Sequence, residues 1–345
     1  MNAPLPAPAP PDVTLAARAK INLFLEVYGR RPDGYHEVAT LMHTVSLHDT
    51  VAVELSGQDR PGCIEVICRP DRQLSGPRNL AYRAAAAYLS ALCGCDGCNG
   101  PAAGRSLSVR VAIDKRIPVA AGLAGGSADA AATLRGLAPL TARLRPQPSP
   151  LPALGPIAAA LGADVPFCLT GGAAWGTGRG DQLTPVLSIL RGPVLIVAPP
   201  FAVASRDAYA WWDEDHGAQH VPAWSSGCPG GPERAGRAGT RLDRLDTPAQ
   251  VAALVRNDLR PPVVRRHPVV GEILTAIRDC GAQAAEMSGS GPAVFGLFSC
   301  TGQAAEAARR LAAAFPGARV LPAALDPVET PPGSGREEPS GGGAN

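Results

Sequence analysis

The stretch Ile117-Pro118-Val119-Ala120-Ala121-Gly122-Leu123-Ala124-Gly125-Gly126-Ser127-Ala128 constrains the fold of this chain more than any other. Before it, residues 107–113 alternate like a strand; after it, residues 130–134 form an Ala-rich run of strong helix formers. The unit is therefore strand, loop and helix start. Three glycines and four alanines in these twelve residues leave little side-chain bulk, so a ligand can lie against the main chain. Amides at a helix N-terminus are unpaired and carry the positive end of the helix dipole, which suits a phosphate. Ser127 is expected at the N-cap or as a magnesium-binding hydroxyl. No Gly-Lys-Ser/Thr closes the loop, and it lacks the Gly-x-Gly-x-x-Gly dinucleotide spacing.

The rest of the chain is read around that unit. With 345 residues it accommodates two domains. A formal net charge of +2 supplies no field that would draw it to nucleic acid or to a membrane surface, and no apolar run reaches the length of a bilayer span. The N-terminus has neither a basic region nor a hydrophobic one, so a cytoplasmic location is expected. Nine scattered cysteines, an odd number, suit reduced thiols better than a disulfide framework. Cys93, Cys95 and Cys98 lie close together, but no second Cys or His pair completes a four-ligand metal site.

Residues 1–12 are expected to be a disordered Pro-rich tail, and 327–345 a Gly/Pro/Glu tail. Strands are expected at 13–19, 20–29, 38–47, 49–55, 64–68 and 107–113. In 20–29, Ile21, Leu23, Leu25 and Val27 would share one face and Lys20, Asn22, Phe24 and Glu26 the other. Asp33-Gly34 makes a turn that ends on Tyr35 and His36. A helix is predicted over 79–92 with Asn79 as its cap, and another from 151 to 161. There Gly162 ends the helix, Asp164 occupies the turn and Pro166 prevents continuation. Residues 171–180 read as a strand and hairpin.

A strand at 193–200 is expected to open a second domain. It continues with a helix at 205–215 carrying Tyr209, a flexible insertion at 216–241, helices at 248–256 and 269–280, and a strand at 282–287. The glycine loop 288–292, a strand at 293–298, a helix at 303–315 and a strand at 318–325 follow. This order predicts an α+β layer of helices on an antiparallel sheet.

Five separated stretches, Ala19-Lys20-Ile21-Asn22-Leu23, Asp33-Gly34-Tyr35-His36, residues 118–130, Gly162-Ala163-Asp164-Val165-Pro166 and Met287-Ser288-Gly289-Ser290-Gly291-Pro292, together resemble the GHMP small-molecule kinases. The first, second and fourth resemble the branch whose substrate is a cytidine diphosphate-linked methylerythritol of the non-mevalonate isoprenoid route. The resemblance covers about residues 14–326. It implies a two-domain α+β fold: a domain like the second domain of ribosomal protein S5 over 13–190, and a ferredoxin-like domain over 191–326. It further implies that Pro118 to Ala128 hold ATP, that Ser127 faces Mg2+, that Asp164 takes the proton from the substrate hydroxyl, and that Lys20 stabilises the developing charge. Asn22 would contact the methylerythritol hydroxyls, Tyr35 would stack on the cytosine, His36 would bond its edge and Tyr209 would cover its other face. The loop 288–291 would close over the phosphate-bearing end. The partners implied are small molecules only. One departure stands out: Ala124 replaces a glycine of many members, at a cost of about 1 kcal/mol if that position needs a positive φ.

Two other readings use the same residues. One keeps the fold and takes homoserine, mevalonate or a sugar, for which a Tyr-His cytosine clamp has no use. The other is a noncatalytic nucleotide-binding protein, against which the presence of both Lys20 and Asp164 argues.

Overall fold

The computed structural model describes residues 12–58, 63–93, 106–144, 151–188, 190–217 and 244–326. Residues 1–11 of the expected N-terminal tail, the expected C-terminal tail, nearly all of the 216–241 insertion, and the side chains of Cys93, Cys95 and Cys98 lie outside these.

Strands β1 (Val13–Arg30) and β2 (His36–Gln58) pair antiparallel through the turn that carries Tyr35. Each is one continuous strand where two were expected. β2 runs through His48, where the two expected strands were divided, and His48 pairs with Arg18 of β1. The ladder shifts register between Arg18 and Lys20 and again between Asn22 and Phe24. A one-residue shift turns the alternation over. Ile21, Leu23 and Phe24 therefore enter one core with Trp175, while Leu25 and Val27 enter another with Leu195 and Trp212. The single shared face expected for Ile21, Leu23, Leu25 and Val27 is corrected by that bulge. Lys20 and Asn22 sit in the short segment between the two shifts, where bulges commonly re-aim side chains.

β4 (Ser106–Asp114) pairs with β2, and β3 (Ile64–Arg69) runs parallel to β4. Helices α1 (Leu80–Cys93) and α2 (Gly125–Leu144) contribute Ala81, Ala84, Tyr88, Ala131, Leu134 and Leu137 to a core with Val53, Val66 and Val111 of these strands. Asn79 caps α1, its Oδ1 accepting the Ala81 amide at 2.8 Å. α3 (Leu154–Leu161) ends at Gly162 as expected. Pro166, expected only to stop a helix, stands in the first turn of a new one, α4 (Val165–Thr170), where its missing N–H costs nothing. The hairpin β5 (Ala173–Thr177) and β6 (Gln182–Ser188) follows and pairs with β2 through β5.

The second half contains β7 (Gly192–Ala198), α5 (Ser205–His216), β8 (Arg244–Leu245), α6 (Pro248–Leu254), β9 (Arg256–Asn257), α7 (Arg260–Arg266), α8 (Pro268–Asp279), β10 (Ala284–Met287), β11 (Val294–Leu297), α9 (Thr301–Ala314) and β12 (Arg319–Leu325). The order β10-β11-β7-β12 is antiparallel throughout and carries α8 and α9, as the pattern predicts. α7 went unread because Pro261 and Pro262 suggest a loop, yet both fit a first helical turn. β12 also touches β2 through Leu325 and Val45.

Candidate active site

Lys20 is 3% exposed and would be a costly buried cation without partners. Its Nζ donates to Asn22 Oδ1 at 2.7 Å and lies 3.5 Å from Asp164 Oδ2. Asp164 occupies the cap position of α4, but its carboxylate makes no capping bond, and its side chain keeps 37% exposure. A carboxylate in contact with a buried ammonium, yet open on one side, can still accept a proton from a ligand. Asn22 Nδ2 donates to Thr40 Oγ1 at 2.7 Å, and that hydroxyl donates to the Phe24 carbonyl at 2.8 Å. Both ends of the Asn22 amide are thus engaged in fixing Lys20.

The loop between β4 and α2 reaches the same place, since the Lys20 amide donates to the Leu123 carbonyl at 3.2 Å. Ala124 has φ +56° and Ala120 φ +50°, so alanine does occupy the left-handed region at the departure noted above. α2 starts at Gly125, which puts Ala124 rather than Ser127 at the cap and Ser127 in the first turn. The first-turn amides of a helix have no partner within the helix, apart here from that of Ala128, which donates to the Ala124 carbonyl at 2.9 Å. Gly122 has φ +79° and an added Cβ there would collide with the Ser288 carbonyl, so the two glycine loops meet backbone to backbone. Ser288 Oγ donates to the Gly122 carbonyl at 3.0 Å and accepts the Asn22 amide at 3.3 Å. Lys20, Asp164, Asn22 and both glycine loops therefore converge.

Sequence reasoning missed the network beneath the first loop. Lys115 Nζ donates to Asp49 Oδ2 at 2.5 Å and to Asp129 Oδ2 at 2.7 Å. Asp49 Oδ1 also accepts the amides of Arg116 at 2.5 Å and Ile117 at 2.8 Å, which pins the start of the loop. Asp129 is buried, and its Oδ1 has no hydrogen-bond partner among the described residues. A lone aspartate inside an Ala-rich helix was the available signal. Burial pushes the Asp129 carboxyl up to about 7; Asp49 adds to the rise and Lys115 opposes it. Between pH 4 and 7 the folded chain then holds more protons at this site than the unfolded one, so wild-type stability falls as pH rises through that window. Asp129→Asn is expected to remove this dependence, with its urea midpoint gaining on wild type from pH 4 to 7 and not beyond. A gap that is constant with pH would refute the assignment.

The Tyr-His turn lies at the other end of the site. His36 Nε2 is 2.9 Å from Asp213 Oδ1, and its ring stacks on Tyr209 at 4.6 Å with 20° between planes. Tyr209 and Asp213 are four residues apart on α5 and so share a face. Burial, and secondarily the charge of Asp164, raise the Tyr209 hydroxyl above the ordinary phenol value. Tyr35 points outward at 55% exposure with the Arg179 guanidinium 4.9 Å over its ring. Tyr209 therefore meets His36, while Tyr35 meets Arg179. Asp213 and Arg179 had no signal in the sequence, because only the fold brings them to the turn.

Among the described residues no three His, Cys, Asp or Glu side chains converge as a metal cage, and no helix is long and apolar enough to cross a membrane.

Comparison with known proteins places this geometry in a family. The family described as GHMP kinases N terminal domain matches residues 79–172, and GHMP kinases C terminal matches 242–317. A protein of Synechococcus sp. strain JA-3-3Ab named 4-diphosphocytidyl-2-C-methyl-D-erythritol kinase is 40% identical over 304 residues, 88% of this chain and 90% of its own. The solved structure of a 4-(cytidine 5'-diphospho)-2C-methyl-D-erythritol kinase aligns with TM-score 0.63 at 32% identity, over 91% of this chain and 99% of that one. A homoserine kinase of Cytophaga hutchinsonii, at 20% identity and TM-score 0.62 over 90% of this chain and 94% of its own, shares the fold. The chain is a kinase of the two-domain GHMP fold, and it belongs to the 4-diphosphocytidyl-2-C-methyl-D-erythritol kinase family.

Proposed function

We propose that the protein transfers the γ-phosphoryl group of ATP to the 2-hydroxyl of 4-diphosphocytidyl-2-C-methyl-D-erythritol, as a step of isoprenoid precursor biosynthesis. The observation that carries this reading is the contact of buried Lys20 with open Asp164 beside two glycine loops. ATP is the co-substrate that the kinase family implies. Residues 118–128 hold its phosphates on loop and helix amides. Asp164 accepts the proton of the 2-hydroxyl as its oxygen bonds to the γ-phosphorus and the bond to the β-phosphate oxygen breaks, releasing ADP. Lys20, fixed by Asn22, offsets the negative charge gathering there. Phosphoryl transfer asks a protein chiefly for positioning and electrostatics, and these groups supply both.

Since no three His, Cys, Asp or Glu side chains cluster among the described residues, Mg2+ would be held mainly by phosphate oxygens and water, with the Ser127 hydroxyl as the ligand from the chain. When bound, it neutralises phosphate charge. Tyr35 stacks on the cytosine, His36 bonds its edge and Tyr209 backs the pocket, while Asn22 lies where the methylerythritol hydroxyls arrive. We place the boundary between the two domains near residue 190, with 13–190 and 191–326 on either side. With a net charge of +2, the partners are the two small molecules rather than nucleic acid or membrane, and the unpaired cysteines suit the cytoplasm.

The test is ADP release from ATP and Mg2+ with 4-diphosphocytidyl-2-C-methylerythritol against homoserine, mevalonate and galactose. Turnover with the cytidylyl alcohol alone supports the reading, whereas turnover with another alcohol replaces it. Tyr35→Ala is expected to raise KM for the cytidylyl alcohol roughly 5- to 150-fold, the worth of one base stack, and to leave KM for ATP unchanged. Equal effects on both constants would remove Tyr35 from the cytosine pocket.

A further inference from the structure

Asn257 is 2% exposed, sits on β9 and makes no contact with Lys20 or Asp164 of its own in the hydrogen-bond network. Its carboxamide is nevertheless spent entirely on backbone. Nδ2 donates to the Met287 carbonyl at 2.7 Å and to the Gly289 carbonyl at 2.8 Å, and Oδ1 accepts the Leu259 amide at 2.9 Å. β9 is itself fastened to the lysine strand: Asn257 pairs in parallel with Leu25, the Asp258 amide donates to the Leu25 carbonyl at 3.0 Å, and Asp258 Oδ2 accepts the Val27 amide at 3.1 Å.

The loop gripped in this way has almost no slack. Gly289 has φ +55°, and a Cβ added there would lie 3.1 Å from the Gly122 carbonyl oxygen, 3.2 Å from Asn22 Oδ1 and 3.4 Å from Lys20 Nζ. The Gly289 backbone thus lies beside the ammonium, its fixing amide and the first glycine loop, so the place at which Asn257 holds this loop bears on all three. We infer that Asn257 is a positioning residue for catalysis: it references the second glycine loop to β1, so that the Lys20 ammonium and the phosphate loop keep one fixed geometry. Only asparagine offers two donors and one acceptor in this reach; aspartate has the same shape but would face two carbonyl oxygens with no donor. The catalytic part of this inference rests on the kinase reading above.

The test compares Asn257→Asp and Asn257→Ala with wild type and with Leu89→Ala, a buried α1 substitution that lowers stability from a core separate from the one holding Met287. Hydrogen exchange of the amides of residues 287–291 is expected to quicken about tenfold or more in both Asn257 variants and to stay unchanged in Leu89→Ala. In the Asn257 variants kcat is expected to fall roughly tenfold or more, while a nonhydrolysable ATP analogue still binds one per chain. Unchanged exchange in 287–291, unchanged kcat, or a kcat loss matched by an equal loss of binding stoichiometry would each overturn the inference. Should Asn257→Ala or Asn257→Asp fail to fold, Asn257→Ser, which keeps a small polar side chain without the two amide donors, is held to the same exchange, kcat and binding outcomes. If wild type transfers nothing to the cytidylyl alcohol, the kinase reading falls, and the exchange data alone decide whether Asn257 holds the loop.

Discussion

Asp164→Asn is expected to lower kcat by about 100-fold or more while ATP affinity stays within a few fold, because a general base acts in the transition state and not in nucleotide binding. Asparagine keeps the shape at the α4 cap and removes the capacity to take a proton. Since the carboxylate makes no capping bond, the exchange breaks no hydrogen bond of the helix cap. Lys20→Ala is expected to reduce kcat by a similar factor through a different route. It removes the charge that faces the transferring group, and it leaves Asn22 Oδ1 without the donor it now meets at 2.7 Å. The two losses should be strongly non-additive, because the groups act as one unit across 3.5 Å. Rapid-quench measurement of the first turnover reads the chemical step directly. A variant of either residue that retained the wild-type rate would remove it from the reaction.

Lys115→Met is expected to produce the largest loss of stability, on the order of 3–5 kcal/mol, because it strands buried carboxylates whose shared cation is gone. Asp49 retains the amides of Arg116 and Ile117, but Asp129 is left with no hydrogen-bond donor among those described. Since Asp49 ties down the start of the phosphate loop, the same substitution should raise KM for ATP more than KM for the alcohol. Adding Asp129→Asn should recover part of the stability by removing a carboxyl that, without Lys115, stays buried only by taking up a proton, a non-additivity that independent sites do not show. Urea unfolding of the two single variants and the double supplies the three comparisons. Full additivity would mean that Lys115 and Asp129 are not coupled.

What the sequence allowed was set by where the information resides. Strand-loop-helix at 107–134 and the antiparallel C-terminal sheet are local patterns, written in alternation, glycine and alanine, and they were legible. Lys20 and Asp164 were found through a resemblance to known kinases, because 144 residues separate them and no periodicity links such a pair. The facing of Leu25 and Val27 was misread because a bulge changes phase without leaving a compositional mark. Pro166 was read as a breaker when it is a first-turn residue, an ambiguity that only the following residues' hydrogen bonds resolve. Lys115, Asp49, Asp129 and Asn257 escaped because their roles are contacts between distant segments. A buried charge or amide shows itself only once its surroundings are known.

The central claim is that the chain phosphorylates one particular alcohol at one particular oxygen. Single-turnover transfer of labelled γ-phosphoryl from ATP to 4-diphosphocytidyl-2-C-methylerythritol, with the product located by phosphorus NMR, tests it most directly. The account predicts one new phosphomonoester on the 2-hydroxyl, an intact cytidine diphosphate linkage, one ADP per ester formed, and no product from Asp164→Asn on the same timescale. Label found on another hydroxyl, or released only as inorganic phosphate, would contradict it.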